Sequence, residues 1–281
     1  MKVLFTAWAL IVAITMSAQE KLKFEKRYVQ SEDHWVAFPA DSLGNYDFGF
    51  IYIDQQAGLT LDYSGHFQID GNGKYTVTKK ELDGSMKVRL EPNENLVAFI
   101  PDSKLADLEV PKTPNWLHFY KEGEDSIKAL YDKGYLYNGW NECEKALDFL
   151  EKAMKINPEY PGLRVEVAFA FNCLEQYQKA IDVLQKALAA NPKDAYLNKE
   201  LIYAQAKNGQ LDKAESTCRF VFRKVEDKTY NAENAINILQ GYFLNNDVKN
   251  FNRWYKETAV QIDSNARFKD LAARMKAKLN P

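Results

Sequence analysis

Residues 144–158 read EKALDFLEKAMKINP, and residues 178–192 read QKAIDVLQKALAANP. The two stretches begin 34 residues apart and agree at eight of their fifteen positions, including both alanines and the closing Asn-Pro. Apolar residues recur at intervals of three and four from about residue 123 onward, and this spacing predicts helices. A helix–turn–helix unit of this size cannot bury its apolar face alone, so the period predicts a stack of similar units.

The period and its marker residues resemble those of tetratricopeptide repeats. In the first repeat, at about 127–160, the markers are Leu130, Gly134, Tyr137, Ala146, Leu150, Ala153 and Pro158. The second, at about 161–194, keeps Ala180, Leu184, Ala187 and Pro192, and the third, at about 195–228, keeps Leu201, Gly209 and Ala214. A divergent fourth repeat at 231–263 retains only the helix–turn–helix outline. The resemblance implies a helical solenoid over 123–264, and a charged amphipathic helix at 265–281 is expected to cap it.

Residues 19–110 have a different pattern. Short runs such as FGFIYID and NLVAFIP, rich in β-branched and aromatic residues, predict five to seven mostly antiparallel strands. Residues 70–73 read DGNG, a strong hairpin signal. The segment also matches part of a calcium-binding loop, but Lys74 and Tyr75 stand where a ligand and a turn glycine are needed, so the hairpin is the better interpretation.

These two patterns define the fold class as α+β multidomain, with a small antiparallel β domain followed by an all-α tetratricopeptide solenoid. Residues 111–122 are expected to link the two parts, because Pro111 and Pro114 stiffen this stretch. Trp116, Phe119 and Tyr120 are expected to dock the linker against the first repeat.

Residues 1–18 have the pattern of a secretory signal peptide: a lysine at position 2, an apolar run over residues 3–16 and a small residue at position 18. The apolar run is short for a bilayer span. We therefore expect an exported protein, periplasmic or secreted, with no stable membrane insertion after signal removal. The net charge of −2 provides no basic field for phosphate groups, which argues against nucleic acid as a partner.

The sequence contains little that indicates chemistry. The three histidines have no zinc-ligand spacing, and no catalytic motif or phosphate-binding glycine loop is present. We therefore expect no catalytic residue, metal or cofactor; an enzyme would need its site in the β domain. Cys143, Cys173 and Cys218 allow a reactive thiol or a Cys143–Cys173 disulfide, but the favoured interpretation is three small apolar residues in helices.

The resemblance implies that the first helix of each repeat lines a concave inner face where ligands bind. One position there holds aromatic rings at intervals of 34 residues, and asparagines follow three residues later. Aromatic rings bury area at low entropic cost, and amides can bond a peptide backbone. The candidate binding residues are Tyr131, Tyr135, Asn138, Val165, Phe169, Asn172, Tyr196, Lys199 and Tyr203.

This surface predicts a protein that binds another protein or an extended peptide segment, as an adaptor or envelope assembly factor. A glycan or surface polymer is the alternative partner, since its hydroxyls suit the same side chains. Two further interpretations stay open: the rings fill the helix stack, or the β domain or the C-terminal helix covers them. A clamp for a C-terminal carboxylate is disfavoured, because tyrosines and glutamates occupy the positions where the family places its cations.

Overall fold

The computed structural model describes residues 21–79 and 86–279, so the predicted signal peptide lies outside the described residues. The chain divides into two compact units, with the boundary between Tyr120 and Lys121. No helix within the described ranges is long and apolar enough to cross a membrane.

The N-terminal unit is an antiparallel β-sheet. Its seven described strands are β1 (Lys26–Arg27), β2 (His34–Ala37), β3 (Tyr46–Asp54), β4 (Gly58–Ile69), β5 (Tyr75–Lys79), β6 (Met86–Arg89) and β7 (Leu96–Phe99). The strand order is β1-β7-β2-β3-β4-β5, and β6 also pairs with β4. The predicted hairpin is confirmed: β4 and β5 pair antiparallel, and the Asp70 amide donates to the Lys74 carbonyl at 3.0 Å.

The expected position of the linker rings is wrong. Trp116 and Tyr120 pack against the sheet instead, with ring centroids 4.8 and 4.7 Å from that of Tyr52. Packing on an apolar sheet face partly buries both rings, and the Trp35 indole N–H holds this segment by donating to the Pro111 carbonyl at 2.8 Å. Phe119 is 66% exposed. A short helix, α1 (Leu117–Lys121), follows Trp116 and contains Phe119 and Tyr120.

The second unit is entirely helical. Its helices are α2 (Ile127–Gly139), α3 (Cys143–Ile156), α4 (Leu163–Cys173), α5 (Tyr177–Ala190), α6 (Ala195–Lys207), α7 (Leu211–Lys224), α8 (Asn231–Leu244), α9 (Val248–Asp263) and α10 (Ala266–Leu279). We number the pairs α2–α3, α4–α5, α6–α7 and α8–α9 as repeats 1 to 4. The first helices contact one another in order, α2 to α4, α4 to α6 and α6 to α8, and α10 follows α8. The antiparallel sheet and the helical stack confirm the predicted fold class.

Each repeat turns between its helices in the same way. A residue with positive φ follows the first helix, at Asn141, Glu175, Gly209 and Asn246. In repeat 2 the amide of the next residue, Gln176, donates to the Phe171 carbonyl at 2.8 Å, which ends the helix in a Schellman-type turn. The spacing is 34 residues between the first turns and 37 between the last two, since a longer connection precedes α8. This longer connection explains why the fourth repeat is hard to align.

Small residues allow the paired helices to approach. Ala146, Ala180 and Ala214 are each fully buried at the same place in repeats 1 to 3. A Cβ added at Gly134 would lie 2.4 Å from the Leu150 side chain. The recurring alanines therefore reflect close packing, as the period predicted.

A disulfide joins repeats 1 and 2. It links Cys143, at the start of α3, to Cys173, at the end of α4. The favoured interpretation of the cysteines is therefore wrong for these two residues, since the stacking brings two helix ends together. Cys218 is unpaired and fully buried in α7, as expected, and burial raises the pKa of its thiol.

An ionic network joins repeats 3 and 4. The Glu215 carboxylate, in a residue only 8% exposed, accepts from the Tyr242 hydroxyl at 2.6 Å and from Arg219 Nη2 at 2.9 Å. Arg253 Nη1 donates to the same carboxylate at 3.2 Å. Burial raises the pKa of Glu215, but the hydrogen bonds from Arg253, Tyr242 and Arg219 outweigh burial and hold it below its ordinary value.

Candidate functional site

The inner face is the surface of α2, α4, α6 and α8, the helices that contact one another along the stack. The nine predicted binding residues lie on the first three of these helices. Their side chains differ in how far they are available to a ligand.

Three aromatic residues recur at one position of this face, and we call them the aromatic ladder: Tyr135, Phe169 and Tyr203. Tyr135 is 60% exposed, and the other two are half-buried. The ring of Tyr131 stacks near that of Tyr135, with 6.5 Å between centroids. Tyr203 meets Tyr177 edge-on at 6.3 Å. The ladder therefore presents aromatic surface that packing within the stack leaves partly uncovered.

Lys199 and Tyr196 form a separate cluster on α6. The Lys199 ammonium lies 4.5 Å from the Tyr196 ring centroid and 2.5 Å from Glu200 Oε1. Burial, followed by the Glu200 charge, raises the pKa of Tyr196 above its ordinary value. The positive charge of Lys199 is thus paired with a carboxylate of the protein itself. Val165 is partly buried against the core shared by repeats 2 and 3.

The asparagines are not exposed as expected. Asn138 and Asn172 are only 4% and 5% exposed. Asn138 Nδ2 donates to Glu166 Oε2 at 2.9 Å, and Asn172 Nδ2 donates to Glu200 Oε2 at 2.8 Å. The amide donors are therefore used between consecutive repeats, because each asparagine meets a glutamate on the next first helix. Their role in ligand binding is not supported by this placement.

The asparagine contact also affects the pKa of Glu166. Burial raises the pKa of Glu166, and the neighbouring Glu200 charge adds to this effect, whereas the Asn138 hydrogen bond opposes it. The next asparagine position holds Ala206, so this contact is not repeated between repeats 3 and 4. The asparagine–glutamate contacts of the inner face therefore end before repeat 4.

A cavity at this end was not predicted. Its volume is 640 Å³, and residues of α6, α8 and α10 line it. The 37-residue spacing of the last turns hides the α8 positions from a search at period 34. The available sequence signal was Leu244, a large apolar residue directly before the polar turn at residues 245–247, and the structure leaves it 70% exposed.

The inner face is suited to binding. Its exposed side chains include Tyr135, Lys207 and Leu244, and the Glu166 and Glu200 carboxylates are held by asparagines. In residues 21–79 and 86–279, no group of three or more His, Cys, Asp or Glu side chains is placed to hold a metal ion.

Comparisons with known proteins identify the repeats. Two family models, both described as "Tetratricopeptide repeat", match residues 127–160 and residues 174–219. Among solved structures, the chain is similar to a thermophilic TPR protein of Thermus thermophilus, with 19% identity and a TM-score of 0.43. That similarity covers 57% of this chain and 86% of the other. No curated protein matches the chain.

Proposed function

Since this chain is a tetratricopeptide repeat protein with an antiparallel sheet before its repeats, we propose that it is an exported, non-catalytic adaptor or assembly factor of the cell envelope. Tetratricopeptide repeats in general serve as scaffolds for protein–protein interaction. The proposed partner is an extended segment of another protein that lies along the aromatic ladder.

The observation that carries the proposal is the uncovered aromatic surface of the inner face. Tyr135 keeps 60% of its surface in water although it lies in the interior of α2. Tyrosine is a preferred anchor of interfaces, since its ring buries a large area at low entropic cost and its hydroxyl can donate a hydrogen bond. Phe169 and Tyr203 extend the same surface over two more repeats, which suits a linear ligand.

The disulfide supports export. Disulfides persist in oxidising compartments and are rare in the reducing cytosol. The Cys143–Cys173 bond is therefore what we expect of a protein that reaches the periplasm or the outside of the cell. The apolar start of the sequence points the same way.

The test is affinity capture of the mature chain from its own cells after brief cross-linking, with the triple variant Tyr135→Ala, Phe169→Ala, Tyr203→Ala in parallel. The matched control is Ile156→Ala with Val260→Ala, which removes exposed apolar side chains from second helices. We expect one protein to be recovered with wild type and control but lost with the triple variant.

For the purified pair, we expect the triple variant to weaken binding by about thirtyfold or more, the loss typical of hot-spot residues. Equal recovery with wild type and triple variant contradicts the proposal. Recovery of polysaccharide without protein favours the glycan alternative.

A further inference from the structure

The cavity at the C-terminal end of the inner face has an apolar floor. Phe243, Leu244, Leu271 and Met275 line it, from the end of α8 and the facing side of α10. Leu244 is 70% exposed, which is unusual for a large aliphatic side chain next to other apolar groups. Such a surface is suited to receive a bulky apolar side chain.

The rim of the cavity is basic. Lys207, Arg274 and Lys278 line it, and none of the described lining residues is acidic. Arg274 Nη2 pairs with Asp270 at 2.8 Å. Within the part of the chain that the structure describes, Lys207 and Lys278 form no ion pair with a carboxylate. An apolar floor beneath two lysines that pair with no carboxylate of the described residues is complementary to an apolar group that carries negative charge beside it.

The cavity is continuous with the aromatic ladder. The Lys207 ammonium, on the cavity rim, lies 5.6 Å from the ring centroid of Tyr203, the last member of the ladder. A ligand that runs along the ladder toward repeat 4 therefore reaches the cavity without leaving the inner face.

We propose that this cavity is the specificity pocket for the partner segment, and that the segment places a bulky apolar residue on Leu244 with aspartate or glutamate beside it, facing Lys207 and Lys278. This inference rests on the proposed function and defines the chemistry of the partner: an acidic, apolar-anchored peptide. An open cavity joined to a linear aromatic surface suits a peptide better than a free fatty acid, which favours a closed pocket.

The test uses displayed random peptides of about twelve residues, selected on the chain that begins at residue 19. We expect the enriched peptides to carry Leu, Ile, Phe or Met next to Asp or Glu. Affinities of a selected peptide are then measured by fluorescence anisotropy. We expect Lys207→Glu with Lys278→Glu to weaken binding at least about tenfold, and exchange of the peptide acids for lysine to restore it.

The matched control reverses two lysines that do not line the cavity, Lys186→Glu and Lys213→Glu, and changes the net charge equally. Circular dichroism checks that each variant folds, and Leu244→Asp tests the floor separately. If the control variant weakens peptide binding as much as the cavity variant does, the effect is due to net charge alone and the inference is overturned.

Three other outcomes also overturn the inference. The enriched peptides lack acids, no peptide is enriched, or wild type binds the fatty acid dodecanoate and the cavity variants lose that binding while they keep the peptide. If the triple ladder variant still loses the selected peptides while the cavity variants keep them, the proposed function stands without this pocket. If neither set of variants affects binding, both proposals fail.

Discussion

Loss of the Cys143–Cys173 disulfide is expected to lower the free energy of unfolding of the helical unit by about 3.5 kcal/mol. The bond closes a loop with a sequence separation of 30 residues. In the chain-entropy model, a loop of this length removes about 12 cal/mol/K of entropy from the unfolded chain, which corresponds to about 3.6 kcal/mol at 25 °C. The double variant Cys143→Ala, Cys173→Ala makes the change without strain, because alanine suits helices at both positions.

The assay is urea unfolding followed by far-UV circular dichroism, for wild type with and without dithiothreitol and for the double variant. With a typical slope of about 1 to 3 kcal/mol/M, the midpoint should fall by about 1.2 to 3.5 M. Reductant should lower the midpoint of wild type but not that of the double variant. Cys218→Ala is the control: it removes a buried side chain, so its stability falls for a packing reason, and it keeps the wild-type response to reductant.

Two results refute this reasoning. If the oxidised, unfolded chain takes up three equivalents of iodoacetamide, the bond is absent. If the bond is present but the double variant loses less than about 1 kcal/mol, the entropy of this loop does not set the stability, and residual structure in the unfolded chain is the better explanation.

Two further predictions concern the turns and the ionic network. Glu175 adopts a φ of 58° where repeat 3 has Gly209 at 73°, and glycine adopts such positive φ values at less cost than other residues. Glu175→Gly should therefore raise the free energy of unfolding by about 0.5 to 1 kcal/mol, and Gly209→Ala should lower it by about the same amount. Urea unfolding measures both changes. Because the pKa of Glu215 is lowered in the folded protein, its contribution is present above the unfolded pKa and is lost as the pH falls through the folded value. Stability of wild type should therefore decline on acidification below about pH 5, and Glu215→Gln should flatten this decline, both measured by urea unfolding at a series of pH values.

The helical half was largely predictable because its period is a packing requirement. Ala146 and Ala180 recur since any larger side chain would separate the paired helices, so the sequence itself records the stacking. The presence of an antiparallel sheet was predictable from its alternating apolar residues. Which residues outside the sheet would pack on its apolar face was not. Trp116 and Tyr120 follow two prolines, and nothing local indicates which apolar face will cover them.

The candidate site was predictable in position but only partly in chemistry. A period of 34 places Asn138 and Asn172 on the inner helices, yet it does not show that Glu166 and Glu200 lie within hydrogen-bond distance of them. That depends on the rotation of each repeat on the next. The Cys143–Cys173 disulfide was an alternative that the sequence could not favour for the same reason, since the two cysteines become neighbours only when α3 stacks on α4.

The three junctions of the stack differ in chemistry: repeats 1 and 2 share a disulfide beside an amide–carboxylate contact, repeats 2 and 3 share an amide–carboxylate contact, and repeats 3 and 4 share an ionic network. In a solenoid, stability is approximately a sum of such nearest-neighbour couplings. Reductant weakens the first coupling, and acid weakens the third, because protonation of Glu215 removes the charge that its partners hold. The two ends of the solenoid are therefore sensitive to different solution conditions: reductant loosens the contact between repeats 1 and 2, and acid loosens the contact between repeats 3 and 4.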